Sequence, residues 1–112
     1  MSEIALKTDG DRLLEQLAAL ANPHRLRIVG LLHQLGPVYV SQLAREIGIS
    51  RPLLHLHLRK LEAAGLVSSE LKFSEDGKSL NFYKAEAFDL SLTPQLIAEA
   101  APSLTPSPKS AS

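Results

Sequence analysis

Gly48-Ile49-Ser50 is the stretch that most narrows what this chain can fold into. Before it, Leu43, Ala44 and Ile47 recur at the spacing of one helical face, with Ser41 available as a cap. After it, Ser50 offers a second cap and a helix is predicted from Arg51 to Ala64, with Pro52 tolerated in the first turn. Gly65 then supplies the left-handed residue that commonly ends a helix. Three residues leave room only for a tight turn between the two helices.

The flanking segments fill out the unit. Leu13, Leu14, Leu17 and Leu20 form one stripe on a helix over Asp11 to Leu20. Asn22-Pro23 caps a second helix, whose Leu26, Ile28, Val29, Leu31 and Leu32 run to about Gln34 before Gly36-Pro37 stops it. Its apolar residues cover more than half its circumference, which predicts the buried central helix. Val38-Tyr39-Val40 favours a strand but is too short to be a sheet alone. Leu66 to Phe73 and Leu80 to Ala85, separated by Asp76-Gly77, read as an antiparallel hairpin. In it Leu71 and Phe73 share a face, while Asn81 and Tyr83 lie opposite Leu80, Phe82 and Lys84. Thr93-Pro94 opens a last amphipathic piece containing Leu96 and Ile97. The fold expected is mainly α with a small β hairpin, a winged helix-turn-helix in the α+β class. Residues 1–10 are expected to be a flexible N-terminus and residues 11–100 the domain. Residues 101–112, rich in Pro, Ser and Thr, are expected to be a disordered tail.

Composition sets the outer limits. The 112 residues fit one domain, and 45% hydrophobic with 21% charged residues suits a globular chain. No apolar run approaches the roughly 20 residues of a membrane span, and no secretion signal is read at the start, so a cytoplasmic protein is expected. The absence of cysteine excludes disulfides, thiolate metal sites and thiol nucleophiles. Twelve Lys and Arg balance twelve Asp and Glu, which taken alone argues against a nucleic-acid binder. Their placement argues the other way: from Arg51 to Lys60 there are three cations and no acid.

At 100° per residue the helix from Arg51 separates into two sides. Leu54, Leu58 and Leu61 stack inward with His57 at their edge, where a packing role is expected. Arg51, Pro52, His55, Leu56 and Arg59 project outward. Guanidinium groups grip phosphate or guanine, and an apolar tip meets a thymine methyl. Ser41 and Gln42 are placed to touch the phosphate backbone, Lys60 extends the basic stretch, and Lys72 and Lys78 on the hairpin offer further backbone contacts. Glu75 and Asp76 at its tip count against that last contact. The alternative for each residue is an ordinary solvated surface. His55 and His57 lie on different helix sides and His24 and His33 are nine apart, so neither pair makes a metal site.

Three runs carry a family resemblance: Leu20-Ala21-Asn22-Pro23-His24-Arg25-Leu26-Arg27-Ile28, then Gln42-Leu43-Ala44 with Gly48-Ile49-Ser50, then Leu54-His55-Leu56-His57-Leu58 through Ala63-Ala64-Gly65-Leu66-Val67. Together they resemble the ArsR-type winged-helix repressors, over roughly Leu13 to Lys84. The resemblance implies a homodimer formed by terminal helices, bound to a palindromic operator and released by a signal. It also implies what is missing. Arsenic- and cadmium-sensing members carry a Cys-x-Cys pair where this chain has Tyr39 and Ser41, and the last helix has Glu99 but no His. No metal and no cofactor are therefore expected.

Dimerisation through Leu13, Leu14, Leu17, Leu20, Leu96 and Ile97 fits a short chain with a limited interior. The expected partners are operator double-stranded DNA, a second copy, and a small-molecule or protein effector of unknown kind. The alternative reading is a winged-helix protein–protein interaction module. An enzyme is not expected: there is no Gly-rich phosphate loop, no Cys, and no local Ser/His/carboxylate set.

Overall fold

The computed structural model describes residues 9–106. Helices α1 (Gly10–Leu20) and α2 (Pro23–Leu35) lead into strand β1 (Val38–Tyr39), and α3 (Val40–Ile47) and α4 (Arg51–Ala63) follow. Strands β2 (Val67–Phe73) and β3 (Ser79–Ala85) form the hairpin, and α5 (Pro94–Ala100) runs into a single 3₁₀ turn at Ala101–Ser103. This is a winged helix-turn-helix.

Local chemistry explains the boundaries. Asn22 accepts the amides of His24 and Arg25 through its side chain, with Pro23 at the first helical position. Ser50 accepts the Leu53 amide to start α4, and Thr93 accepts the Leu96 amide to start α5. Gly48 takes a left-handed conformation with φ +84°, which closes the α3–α4 turn where a side chain would be strained. Ser41, expected as the cap of α3, lies inside the helix; Tyr39 is the N-cap and makes no side-chain cap bond. Pairing of Tyr39 with Phe82 holds it extended up to the helix start, and burial of Val40 draws the next residue into the first turn.

The sheet has the order β1-β3-β2, with both pairings antiparallel. Val38 and Ser69 each sit opposite Tyr83, and Val67 opposite Ala85. One face therefore carries Val38, Val67 and Tyr83 into the core. Leu71 and Phe73 continue that face but lie beyond the body of the domain, 55% and 71% exposed. On the other face Phe82 stacks against Tyr39 at 5.8 Å, with the Lys72 ammonium 5.2 Å above its ring.

The core is centred on α4. Leu54, Leu58 and Leu61 are fully buried with Ile28, Leu43 and Leu66. Helix α2 is less enclosed than its apolar content predicts: Ile28 and Leu32 are buried, but Leu26 and Leu35 are exposed. The width of its apolar stripe exceeds what its neighbours among the described residues cover.

Both chain ends depart from expectation where they are described. Asp9 and Gly10, expected in a flexible N-terminus, are the N-cap and first residue of α1. Residues 101–106, expected in a disordered tail, fold back onto that helix start. The Gly10 amide donates to Ser103 Oγ at 2.7 Å, and the Thr105 amide and hydroxyl both donate to the Asp11 carboxylate. The Thr105 hydroxyl, followed by its amide, holds the Asp11 carboxyl below the usual range. Residues 1–8 and 107–112 lie outside the described residues.

A pair of glycines tests this packing with opposite signs. A Cβ on Gly10 would collide with the Ala100 carbonyl oxygen and come within 2.9 Å of Leu104 Cγ, whereas one on Gly30 would meet nothing. Gly10→Ala should destabilise by about 1–3 kcal/mol, and Gly30→Ala should stabilise by about 0.5–1 kcal/mol. Chemical denaturation of both variants reads the two signs.

Candidate nucleic-acid interface

Burial of Leu54, Leu58 and Leu61 turns the opposite side of α4 to solvent. Arg51, Pro52, Leu56 and Arg59 are exposed there and His55 is half-buried. Leu56 is 52% exposed and is not among the described residues that pack against the core. Lys60 lies about 100° round from Arg59, on the flank of α4 that faces α1 and lines a groove there. Gln42 is exposed and Ser41 half-buried on α3. Arg51 and Arg59 thus stand on the solvent side of α4, with α3 beside it.

The hairpin tip is more acidic than basic. Ser74 accepts the Lys78 amide and donates to Asp76, and the Ser74 hydroxyl is the main cause of the lowered Asp76 pKa. Lys78 is exposed beside the charged Asp76 and Glu75, and Lys72 already rests over Phe82.

His57 is 8% exposed, and it takes the packing role expected of it. The Arg25 guanidinium donates to its Nδ1 at 3.0 Å, so that nitrogen carries no proton and the neutral ring holds its hydrogen on Nε2. Arg25 Nε donates to the Ala19 carbonyl at 2.6 Å, so one side chain joins α1, α2 and α4. The His24 ring lies 5.3 Å from that of His57. Burial, then Arg25, His24 and Lys60, push the His57 pKa below its ordinary value. Arg25 had no assigned role in the sequence reading; its place right after a capped Asn-Pro start was the available signal.

Of the residues expected at a subunit interface, Leu13, Leu14, Leu17 and Ile97 line one apolar groove of about 150 Å³ with Gly10, Ala100, Ala101 and Leu104. Leu20 instead packs on the core, and Leu96 is half-buried outside that lining. No cluster of three or more metal-ligating side chains exists among the described residues, and no described helix is long and apolar enough to cross a membrane.

Residues 20–70 match the helix-turn-helix domain family. The chain is 39% identical over 79 residues to an uncharacterized HTH-type transcriptional regulator of Methanocaldococcus jannaschii, covering 70% of this chain and 81% of that protein. Among solved structures, NolR of Sinorhizobium fredii superposes with a TM-score of 0.57 at 27% identity, over 79% of this chain and 76% of that one. The homodimeric winged helix-turn-helix DNA-binding domain of a possible ArsR-family regulator from Mycobacterium bovis gives 0.58 at 28%, over 67% and 64%. The chain belongs to the helix-turn-helix transcriptional regulators, and its solved neighbours include ArsR-family members. As a member it has a winged helix-turn-helix DNA-binding fold, and it lacks any cysteine.

In this helix-turn-helix regulator the buried, neutral His57 links pH to stability. Its folded pKa lies below the ordinary 6.5, so its contribution is fully present above about pH 6.5 and is lost as pH falls through the folded value. The denaturation midpoint should therefore drop between about pH 7 and pH 5. His57→Asn, which keeps an acceptor toward Arg25 without a titrating ring, should flatten that part of the profile.

Proposed function

We propose that the protein is a homodimeric repressor that reads a palindromic operator through α4. The exposed face of that helix carries the reading. Arg51, Pro52, His55, Leu56 and Arg59 present two fixed cations, an imidazole and an apolar tip, and no acid interrupts positions 51 to 60. Such a set meets phosphates, guanine edges and thymine methyls in a major groove. Gln42 and Ser41 on α3 contact the backbone beside it, with Lys60 and Lys78 as outer phosphate contacts. Lys72, resting on Phe82, is the weaker of the two hairpin candidates.

The groove between α1 and α5 supports the dimer. Leu14 and Ile97 are exposed on it, its lining is apolar, and a second copy would cover both. The Mycobacterium bovis relative is itself a homodimeric domain. A two-fold pair presents two α4 helices to half-sites roughly 34–36 Å apart. Repression follows from occupying a promoter.

The exposed Leu53 and Leu56 favour one second reading, a protein-docking face on α4. Salt separates the two. Binding to fragments enriched from genomic DNA should weaken steeply as salt rises, because phosphate contacts release counterions; a flat response would favour the protein partner. Arg51→Ala and Arg59→Ala should each cost about 1–3 kcal/mol of operator affinity with the fold intact. If neither changes affinity, α4 is not the reading helix. Sedimentation should show wild-type dimers, and Leu14→Glu with Ile97→Glu should give folded monomers.

A further inference from the structure

A second groove, of about 340 Å³, opens between α1, α2 and α4 and is lined by Glu15, Ala18, Ala19, Arg25, Lys60 and Ala63. Its acceptors are already used. Ala18, Ala19 and Leu20 form the end of α1, where bare carbonyls would repel an anion. The Ala18 carbonyl accepts from the Ala21 amide, Ala19 from Arg25 Nε, and Leu20 from the Asn22 amide. The Ala63 carbonyl accepts from Arg12, which also pairs with Glu15 at 3.4 Å, so the one acid in the lining has its own cation.

The donors are not used up. Arg25 has five N–H groups and spends two, on Ala19 and on His57, which leaves three while fixing the plane of the guanidinium. Lys60 forms no ion pair among the described residues. The site therefore holds two cations in surplus, one of them immobilised, beside the methyl groups of three alanines. Burial comes first in lowering the His57 pKa, and the nearby Arg25, His24 and Lys60 add to it.

We propose that this groove binds a small organic carboxylate as the effector of the protein. The carboxylate lies between Arg25 and Lys60, and a short apolar body rests on Ala18, Ala19 and Ala63. Planar two-point bonding to a held guanidinium suits a carboxylate, and the volume suits a small ligand. The same guanidinium holds His57 of α4, so occupancy is coupled through Arg25 to the contact between the DNA-reading helix, α1 and α2. This regulatory consequence rests on the reading of α4 as the DNA-binding helix; the binding site does not.

Butyrate and benzoate, titrated into the full chain and followed by ¹H–¹⁵N NMR, provide the test, with butyramide, benzamide and chloride as controls. Saturating shifts centred on Ala18, Ala19, Arg25, Lys60 and Ala63 are expected from the carboxylates alone. Lys60→Gln should weaken them about tenfold, and Ala18→Leu, at an exposed helix position, should abolish them by filling the groove. Absence of saturation at high millimolar concentration, equal shifts from the amides, or indifference to both variants would overturn the site. On enriched DNA fragments, a carboxylate should change wild-type affinity and leave Ala18→Leu unmoved. Saturable binding with unchanged DNA affinity overturns the coupling to α4. Failure to bind any DNA defeats the earlier reading without touching the NMR titration.

Discussion

Three leucines without exposed surface, Leu54, Leu58 and Leu61, set the rotational phase of α4, and most of the molecule is arranged around that constraint. Turning the helix by one residue would swing them through about 100° and return apolar area worth about 1.5–3 kcal/mol per side chain to water. No substitution on the solvent side has comparable leverage. Arg51, Leu56 and Arg59 therefore hold their direction because of residues they never touch. The glycine turn at position 48 and the Ser50 cap fix where the helix begins, and the leucines fix which way it faces.

Arg25 ties that helix to the rest. Its guanidinium bridges the end of α1 and the imidazole of His57, across three elements. A buried polar link of this kind is specific in a way that apolar contact is not, because it tolerates only one protonation state of the ring. It also places a fixed cation at the mouth of a groove whose carbonyls are already occupied. Structural support and a binding-competent surface thus come from one side chain.

How much of this could be read from the residues depended on range. Helix caps, the glycine turn, the leucine stripe of α4 and the Asp76-Gly77 hairpin all follow from neighbours a few positions apart, and each falls where the local signals put it. The start of α3 did not, because Tyr39 answers to Phe82, more than forty positions on. Helix α2 reads as the buried central helix from its apolar circumference, yet that pattern cannot count how many neighbours are available to cover Leu26 and Leu35. The leucine stripe on α1 could not separate Leu20, which packs on the core, from Leu14, which lines an apolar groove. Arg25 and the two hydroxyls at Ser103 and Thr105 escaped notice because their partners are remote in sequence.

The fold-back of residues 101–106 onto the start of α1 has a consequence for the order of assembly. Contacts between Asp11 and Thr105 span 94 positions, so α1 leaves the ribosome long before the segment that fastens it. Until Leu104 has been made and has returned, the groove along Leu13, Leu14 and Leu17 lacks one wall. Any association that uses this groove must then be a late event, one that follows synthesis and does not accompany it.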